Sequence, residues 1–270
     1  MATKTLYIDS RTKISGTHSD FKISLPEELT LRGARVRVDS IRTTDTFKTV
    51  SSRNRFAYFL DGSGGLSSVA LDQAAYTGST FAAELATKSS RTCTYVATSN
   101  SLQLAYASST RIVYDDAELK SFAASSFPAG ATPEQPNSIN DILGSTASIT
   151  GSTITFAFVT MAPLQDLYLC SNHLMVDHSW MPRGQRNALA KISLPGGFGT
   201  TVEAQTPENI FHDLGDYVTL KEIDFQLRDF NGAIVDLLSP ISFQLIFDRA
   251  MMERNDGLMD DKRNRHAHSG

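Results

Sequence analysis

The sequence predicts an all-β sandwich that is interrupted by a small α+β insertion. Its two ends, residues 1–61 and 163–248, consist of short runs in which apolar and polar residues alternate, the pattern of half-buried strands. The segment between them, residues 62–162, is richer in Ser, Thr and Ala and contains short helical patterns. Because neither end alone has enough strands to close two sheets, we expect one sandwich built from both ends of the chain.

The first block is predicted to contain several strands separated by turn residues. The strands are Thr5–Asp9, Phe21–Leu25, Ala34–Arg42 and Phe56–Leu60. A turn is expected at Pro26. In the third strand, Val36, Val38 and Ile41 alternate with charged residues. That strand therefore needs one buried face, and its other face lies in water or against a partner.

The insertion is predicted to have a small core of its own. It begins after a Gly-rich run at 61–65, and Ser79 is placed to cap a short helix that carries Phe81 and Leu85 on one face. Short strands are predicted at 95–98, 102–106, 111–114 and 153–159, with helical turns at 115–122 and 138–143. The alternative, in which these residues continue the main sheets, stays open at the level of the sequence.

The second β block begins after Pro163 and contains the most regular alternation of the chain. Its first strands are predicted at 167–171, 188–194 and 201–205. The stretch Tyr217–Asp248 then has two alternating runs on either side of Asn231-Gly232, with a break at Lys221-Glu222 that indicates a β-bulge. Asn-Gly between such runs predicts a type I′ hairpin, and a last strand follows at 241–247.

Residues 249–270 form a polar tail with both charge signs and almost no strand pattern. Its large apolar residues are Met251, Met252, Leu258 and Met259. This is too little apolar surface for the tail to order itself, so a partner must order it. Its basic residues leave a weak contact with nucleic acid open, because neighbouring aspartates offset their charge.

Composition limits the function classes. The chain has 270 residues, a net charge of -4 and a pI of about 5.9, so no overall basic field points to nucleic acid. Cys93 and Cys170 are too few for a disulfide framework and are expected to be thiols in a reducing compartment. No secretory signal follows Met1, and no apolar run approaches the roughly 20 residues of a membrane helix. We expect a soluble chain that is made in the cytosol and has no membrane span.

The sequence contains no recognisable catalytic motif. It has neither a G-x-S-x-G elbow nor a Walker loop, and the Gly-rich segment 195–199 fits a hairpin-type loop. His173 and His178 flank Asp177 without the third ligand of a metal site, so a structural or interfacial role is expected. The tail motif His266-x-His268 also lacks a third ligand. We therefore expect no enzyme, no metal and no cofactor.

Two acidic motifs are better explained by local structure than by ligand binding. Asp115-Asp116, followed by Glu118, is predicted to cap a helix rather than to bind a cation. Asp229-x-Asn231-Gly232 is similar to half of a calcium loop, but the alternation around it predicts a hairpin turn.

Positive charge is concentrated in and just after the third predicted strand. The arginines are Arg35, Arg37, Arg42, Arg53 and Arg55. A solvated sheet face explains such a group, and so does a face between subunits, because Arg is favoured in interfaces. These five residues are the candidate subunit interface.

The order of strands and turns along the chain is similar to that of a known family. The opening block has a first strand, a turn at Gly16, a D-F-x-I-x-L strand and a basic strand that ends in Asp39-Ser40. The middle pairs the short helix YTGSTFAAELAT with a later NSINDILG. The closing strands are LYLCSNHL, ALAKISL and VTLKEIDFQLRDFNGAIVDLLSPISFQLIF. The pattern resembles the minor capsid, or penton, proteins of polinton-like viruses, virophages and related double-jelly-roll-lineage DNA viruses.

The resemblance implies a jelly-roll β-sandwich that assembles as a homopentamer at the five-fold vertices of an icosahedral virion. Residues 1–61 and 163–248 would form the jelly roll, with Leu227–Leu237 as a core hairpin. Residues 62–162 would form an insertion that faces outward, bears a spike or meets a receptor. The partners would be further copies of the chain, the major capsid protein and other minor capsid proteins, after synthesis in the host cytoplasm.

Two other functions stay open. The size of the insertion also suits another minor capsid protein that lies next to the vertex. A β-sandwich attachment module that binds glycans or proteins is the second alternative, and Trp180 beside His178 is the local feature that favours it.

Overall fold

The structure, a computed structural model, divides into two compact units. The sandwich unit is drawn from residues 1–46 and 164–270, and the insertion unit from residues 47–163. The residues described are 3–106, 110–144, 147–162, 164–174, 181–182, 184, 187–207, 210–214 and 217–248. The predicted polar tail, residues 249–270, therefore lies outside the described residues.

The described residues form mostly β-strands with a few short helices. The chain begins with β1 (Lys4–Asp9), β2 (Ser15–Gly16), β3 (Asp20–Arg32) and β4 (Arg35–Thr44). The insertion unit contains β5 (Phe56–Leu60), β6 (Leu66–Ala70), α1 (Gly78–Ser89), β7 (Thr92–Val96), β8 (Ser101–Ala105), β9 (Arg111–Val113), α2 (Asp116–Leu119), α3 (Asn140–Leu143), β10 (Ala147–Thr150) and β11 (Thr153–Phe156). The sandwich unit resumes with β12 (Asp166–Cys170), β13 (Ala188–Ser193), β14 (Thr201–Gln205), β15 (His212–Asp213), β16 (Tyr217–Arg228) and β17 (Ser242–Asp248). None of the helices in this described part is long and apolar enough to cross a membrane.

The sandwich unit is a jelly roll. One sheet, the β4 sheet, has the order β1-β17-β4-β14, with β15 also paired to β4. The other, the β16 sheet, has the order β13-β12-β16-β3-β2, and neighbouring strands in both sheets are antiparallel. Without the two-residue strands β2 and β15, the strands counted along the chain lie in the orders 1-8-3-6 and 5-4-7-2. This is the two-sheet Greek-key arrangement of a jelly roll, so the predicted fold class is confirmed.

Aromatic side chains join the two sheets. Phe225 on β16 is fully buried, and its ring centroid lies 5.5 Å from that of Phe21 on β3 and 4.8 Å from that of Phe243 on β17. Since β17 belongs to the β4 sheet, this cluster crosses the sandwich. Val36 and Val38 on β4 are also fully buried, as their alternation with charged residues predicts.

Strand β3 continues through Pro26, where the sequence predicts a turn. Ser24 pairs with Glu222 and Leu29 pairs with Leu220, so residues 25–28 face Lys221 alone. Pro26 therefore sits in a bulge, where its missing N–H removes no ladder hydrogen bond. The break at Lys221 is the bulge that the sequence predicts.

Strand β5 belongs to the insertion unit and not, as predicted, to the jelly roll. It pairs with β6 and β9, and its buried Phe59 shares a core cluster with Phe81 and Leu85 of α1. Alternation along a strand reports burial but not the sheet that the strand joins, so the sequence placed β5 on the wrong side of the boundary. The units divide after residue 46 rather than after residue 61.

The rest of the insertion unit is the predicted α+β structure. Its described sheets have the orders β10-β11-β8-β7 and β6-β5-β9. Thr77 caps α1 in place of the predicted Ser79, because the Thr77 side chain accepts from the Thr80 amide while the Thr80 side chain accepts from the Thr77 amide. Thr49 Oγ1 donates to the Met161 carbonyl oxygen at 2.8 Å, so the two ends of the unit are held together.

The turn at Asn231-Gly232 is not the predicted type I′ hairpin. Only Gly232 of the two has a positive φ, 83°, whereas type I′ requires it at both positions. Beyond the turn, Arg228 and Ile234 form a single bridge, and the next strand starts at Ser242 in the other sheet. The expected core hairpin is reduced to this bridge because the chain has to cross from one sheet to the other.

Candidate functional site

Arg35 and Arg37, two of the predicted interface residues, are bound within their own sheet. Arg35 Nη2 lies 2.8 Å from Asp248 Oδ2 on β17, and Arg37 Nη1 lies 2.7 Å from Asp39 Oδ1. Their guanidinium carbons lie 4.3 and 5.6 Å from the ring centroid of Phe211. At this end of β4 the positive charges of both arginines are balanced by aspartates. Charge alone therefore does not make this end of the strand a contact surface.

The other three predicted arginines are divided between the units. Arg42 is 68% exposed, and its Nε lies 3.3 Å from Glu203 Oε1 on β14. Arg53 and Arg55 belong to the insertion unit, where the Arg55 guanidinium carbon lies 5.7 Å from the ring centroid of Phe56. The sequence could not reveal this division, because the boundary between the units falls between Arg42 and Arg53.

A buried carboxylate on the β16 sheet fastens the segment that follows β12. Oδ1 of Asp224 accepts from the backbone amides of Asn172 and His173, at 3.0 and 2.9 Å. His173 Nδ1 lies 2.6 Å from the same oxygen, and Asn172 Nδ2 donates to Oδ2 at 2.8 Å. His173 therefore has the predicted structural role, but with Asp224 as its partner. Asp177, the predicted neighbour, lies outside the described residues.

A cleft lies beside this pair. It has a volume of about 390 Å³ and is lined by Ser15, Lys22 and Gln226 among others. Within the described residues no hydroxyl group hydrogen-bonds to the His173 ring. The hydrogen bonds to Asp224 anchor the segment after β12.

The pKa of Asp224 is lowered by its hydrogen bonds. Burial alone would raise this pKa, but the hydrogen bonds from His173 and Asn172 together outweigh burial. A carboxyl group whose folded pKa is lowered contributes stability above its unfolded pKa. That contribution is lost as the pH falls through the folded pKa.

Asp224→Asn is expected to lower the free energy of unfolding at neutral pH by about 2–3 kcal/mol, because a charged acceptor of several buried hydrogen bonds is removed. The difference from wild type should shrink as the pH falls below 3.8, the ordinary pKa of the group. Urea unfolding of the variant and wild type at neutral pH and at about pH 3 measures the difference in unfolding free energy at each pH. Asp236→Asn, at an exposed position of the same unit, is the control. An equal loss at both pH values would show that the charge of Asp224 does not stabilise the fold.

The predicted helix cap at Asp115 is confirmed. Asp115 Oδ1 accepts from the Ala117 amide at 2.8 Å, which caps α2. Asp116 Oδ1 accepts from Asn140 Nδ2 at 2.7 Å and from Ser138 Oγ at 2.5 Å. Both carboxylates are engaged in local structure.

The predicted histidine motifs cannot be placed in the fold. His178, Trp180, His266 and His268 lie outside the described residues. Among the residues that are described, no cluster of three His, Cys, Asp or Glu side chains is arranged to hold a metal ion.

The two cysteines are separate thiols in different units. Both are unpaired, and burial raises the pKa of Cys93 to about 12 and that of Cys170 to about 11. Because the thiolate is the reactive form, burial makes both cysteines less reactive than an exposed thiol.

Exposed apolar side chains of the sandwich unit concentrate at one end of the jelly roll. The loops that join β1 to β3, β13 to β14 and β16 to β17 meet at the end where β4 stops, because Ser242 pairs with both Asp9 and Arg42, and Thr201 pairs with Thr44. The exposed large apolar residues in these loops are Ile14, Phe198, Phe230 and Leu238. We call this surface the apolar end.

Phe198 and Leu238 are displayed on fixed backbone at the apolar end. They are 53% and 59% exposed. The Gly199 amide donates to the Asp45 carbonyl oxygen at 2.7 Å, and the Leu238 amide donates to Thr46 Oγ1 at 2.9 Å. Exposed apolar side chains on neighbouring loops, each held by a backbone hydrogen bond, are a candidate contact surface. The sequence does not single out these residues, because single exposed apolar residues in loops are ordinary and only the topology brings the loops to one end.

No family model matches the sequence, and no curated protein is significantly similar to it. Among solved structures, the chain is similar to the crystal structure of the selenomethionine-labelled mavirus penton protein. The alignment covers 92% of this chain and 99% of that chain, with 9% sequence identity and a TM-score of 0.46.

Proposed function

We propose that this chain is a structural subunit of an icosahedral virus capsid and assembles as a homopentamer at the vertices of the virion. Its mechanism is assembly: the jelly roll gives each subunit its shape, and the loops and sheet faces make the contacts. Jelly rolls occur in viral capsids, lectins and cupins, and the resemblance of the strand order to penton proteins favours the first. The major capsid protein and other minor capsid proteins are the further partners.

The apolar end is the observation that carries this proposal. A closed ring of five requires a head-to-tail contact, in which two different patches of each subunit meet. Phe198 and Leu238 supply one such patch. Burying a side chain of this kind is worth about 1.5–3 kcal/mol, and the fixed backbone of both loops limits the entropy lost on contact.

The five arginines remain candidate interface residues, but substitutions at Arg35 and Arg42 would not test assembly alone. Arg35→Glu would place a second carboxylate beside Asp248 and weaken the subunit itself, so charge reversal there does not isolate assembly. Arg42 has a mostly exposed side chain, but its partner Glu203 lies on the neighbouring strand. Assembly is therefore better tested at the apolar end.

Replacing Phe198 and Leu238 together by serine is expected to weaken assembly by about tenfold or more, because these side chains serve the contact rather than the core of the subunit. Sedimentation velocity over a concentration series measures the shift from ring to monomer. The temperature of unfolding of the monomeric subunit should stay close to that of wild type.

Ile149→Ser is the matched control, since Ile149 is 57% exposed on β10 of the insertion unit and lies outside the proposed contact. It should assemble like wild type. If the double Phe198/Leu238 variant assembles at the same concentration as wild type, the apolar end is not a contact between subunits. The proposal would then lose its main support.

A further inference from the structure

The outer face of the β4 sheet contains a groove of about 430 Å³. Two rows of side chains cross all four long strands of the sheet, and the strand register sets their order. The first row consists of the pairs Tyr7–Gln244 and Ser40–Gln205, which meet where the register of β17 and β4 shifts. The second row, Asp9, Ser242, Arg42 and Glu203, is paired throughout. The two serines are the smallest side chains of the rows and lie at their centre, which makes the face concave.

Several hydrogen-bonding groups in the groove are unused. Within the described residues, no side-chain hydrogen bond involves Ser40, Ser242, Gln205 or Gln244. A hydroxyl group and a primary amide each offer both donors and acceptors. The groove therefore presents a row of amphoteric groups rather than a set of donors or a set of acceptors.

The aromatic side chain of Tyr7 lines the groove beside these groups. Its side chain is 74% exposed although it lies in the middle of β1, where it faces Gln244 across the strand pair. An aromatic ring on a strand offers a rigid apolar surface at a low cost in conformational entropy, and its hydroxyl adds one more donor and acceptor.

The charges in the groove cancel. Asp9 Oδ1 accepts from Arg11 Nε at 3.0 Å, and Arg42 Nε lies 3.3 Å from Glu203 Oε1. Each charged side chain thus has an opposite charge beside it, and the groove does not favour an anion or a cation.

We propose that this groove binds a neutral oligosaccharide. Adjacent sugar hydroxyls both donate and accept, which matches the amides and hydroxyls of the two rows. The C–H face of a sugar ring packs on an aromatic ring such as Tyr7. An open groove across four strands fits an extended polar ligand, whereas a small apolar ligand requires an enclosed pocket.

The test screens the full chain on an array of neutral oligosaccharides that end in galactose, mannose or N-acetylglucosamine, next to sialylated and sulfated counterparts. Binding to neutral members is expected. Tyr7→Ala should weaken it by about tenfold or more, and Gln244→Ala should also weaken it. Phe158→Ala, which removes a 60% exposed ring from the insertion unit, should bind like wild type.

No binding to neutral oligosaccharides, binding to charged ones alone, or unchanged binding by Tyr7→Ala overturns this proposal. A second copy of the chain is the competing occupant. The native mass of the Tyr7→Ala variant tests for this second copy. An assembly smaller than that of wild type would show that the groove is a contact between copies. That result would also overturn saccharide binding. That outcome leaves the capsid proposal intact, so the two proposals fail separately.

Discussion

Replacing Phe225 by alanine is expected to lower the free energy of unfolding of the sandwich unit by about 3–5 kcal/mol. The ring is fully buried between Phe21 of its own sheet and Phe243 of the facing sheet. Its removal takes away a contact that holds the two sheets together and leaves a cavity that the flanking strands cannot close. Since domains are stable by only about 5–15 kcal/mol, the variant should lie near the limit of folding.

Urea unfolding followed by circular dichroism measures this loss. Phe230→Ala is the matched control, because Phe230 is an exposed phenylalanine in the loop after the same strand and should change stability by less than about 0.5 kcal/mol. A loss at Phe225 as small as that at Phe230 would mean that the aromatic cluster does not join the sheets.

Deleting residues 47–163 and joining Thr46 to Leu164 by a short Gly/Ser linker is expected to leave a folded jelly roll with cooperative unfolding. All the long strands of both its sheets lie outside the deleted segment. A short linker suffices, because Thr49 and Met161 are already joined by a hydrogen bond near the ends of that segment.

The comparison variant deletes residues 62–162, the boundary that the sequence predicts. It keeps β5 but removes β6 and β9, the strands that pair with β5. The buried Phe59 then loses its core, so this variant should aggregate or bind hydrophobic dyes. Two variants that behave alike would contradict the unit boundary after residue 46.

The strands and their burial could be predicted from the sequence because both are local properties. The alternation of Val36 and Val38 on β4 and the bulge at Lys221 on β16 appear in the structure as predicted. The partners of a strand are set by contacts distant in sequence. This is why β5 was assigned to the wrong unit and why the run after Gly232 was taken for a strand.

The surfaces that carry the proposals could not be predicted for the same reason. Phe198 and Leu238 are 40 residues apart in the sequence, and their loops come to the same end of the sheet because they bond to Asp45 and Thr46, just after β4. Asp224 lies on the polar side of an alternating strand, where an acidic residue is ordinary. The five arginines, which are close in sequence, are divided between the two units, and their role in an interface stays a prediction.

The central claim is that five copies of this chain close into a ring, and native mass spectrometry of the purified full chain over a concentration series tests it most directly. We predict a dominant species with five times the mass of the 29.5 kDa chain. Larger head-to-tail polymers should not form, because a closed ring uses every contact of this kind. A chain that stays monomeric at high concentration, or that stops at another stoichiometry, would contradict the claim.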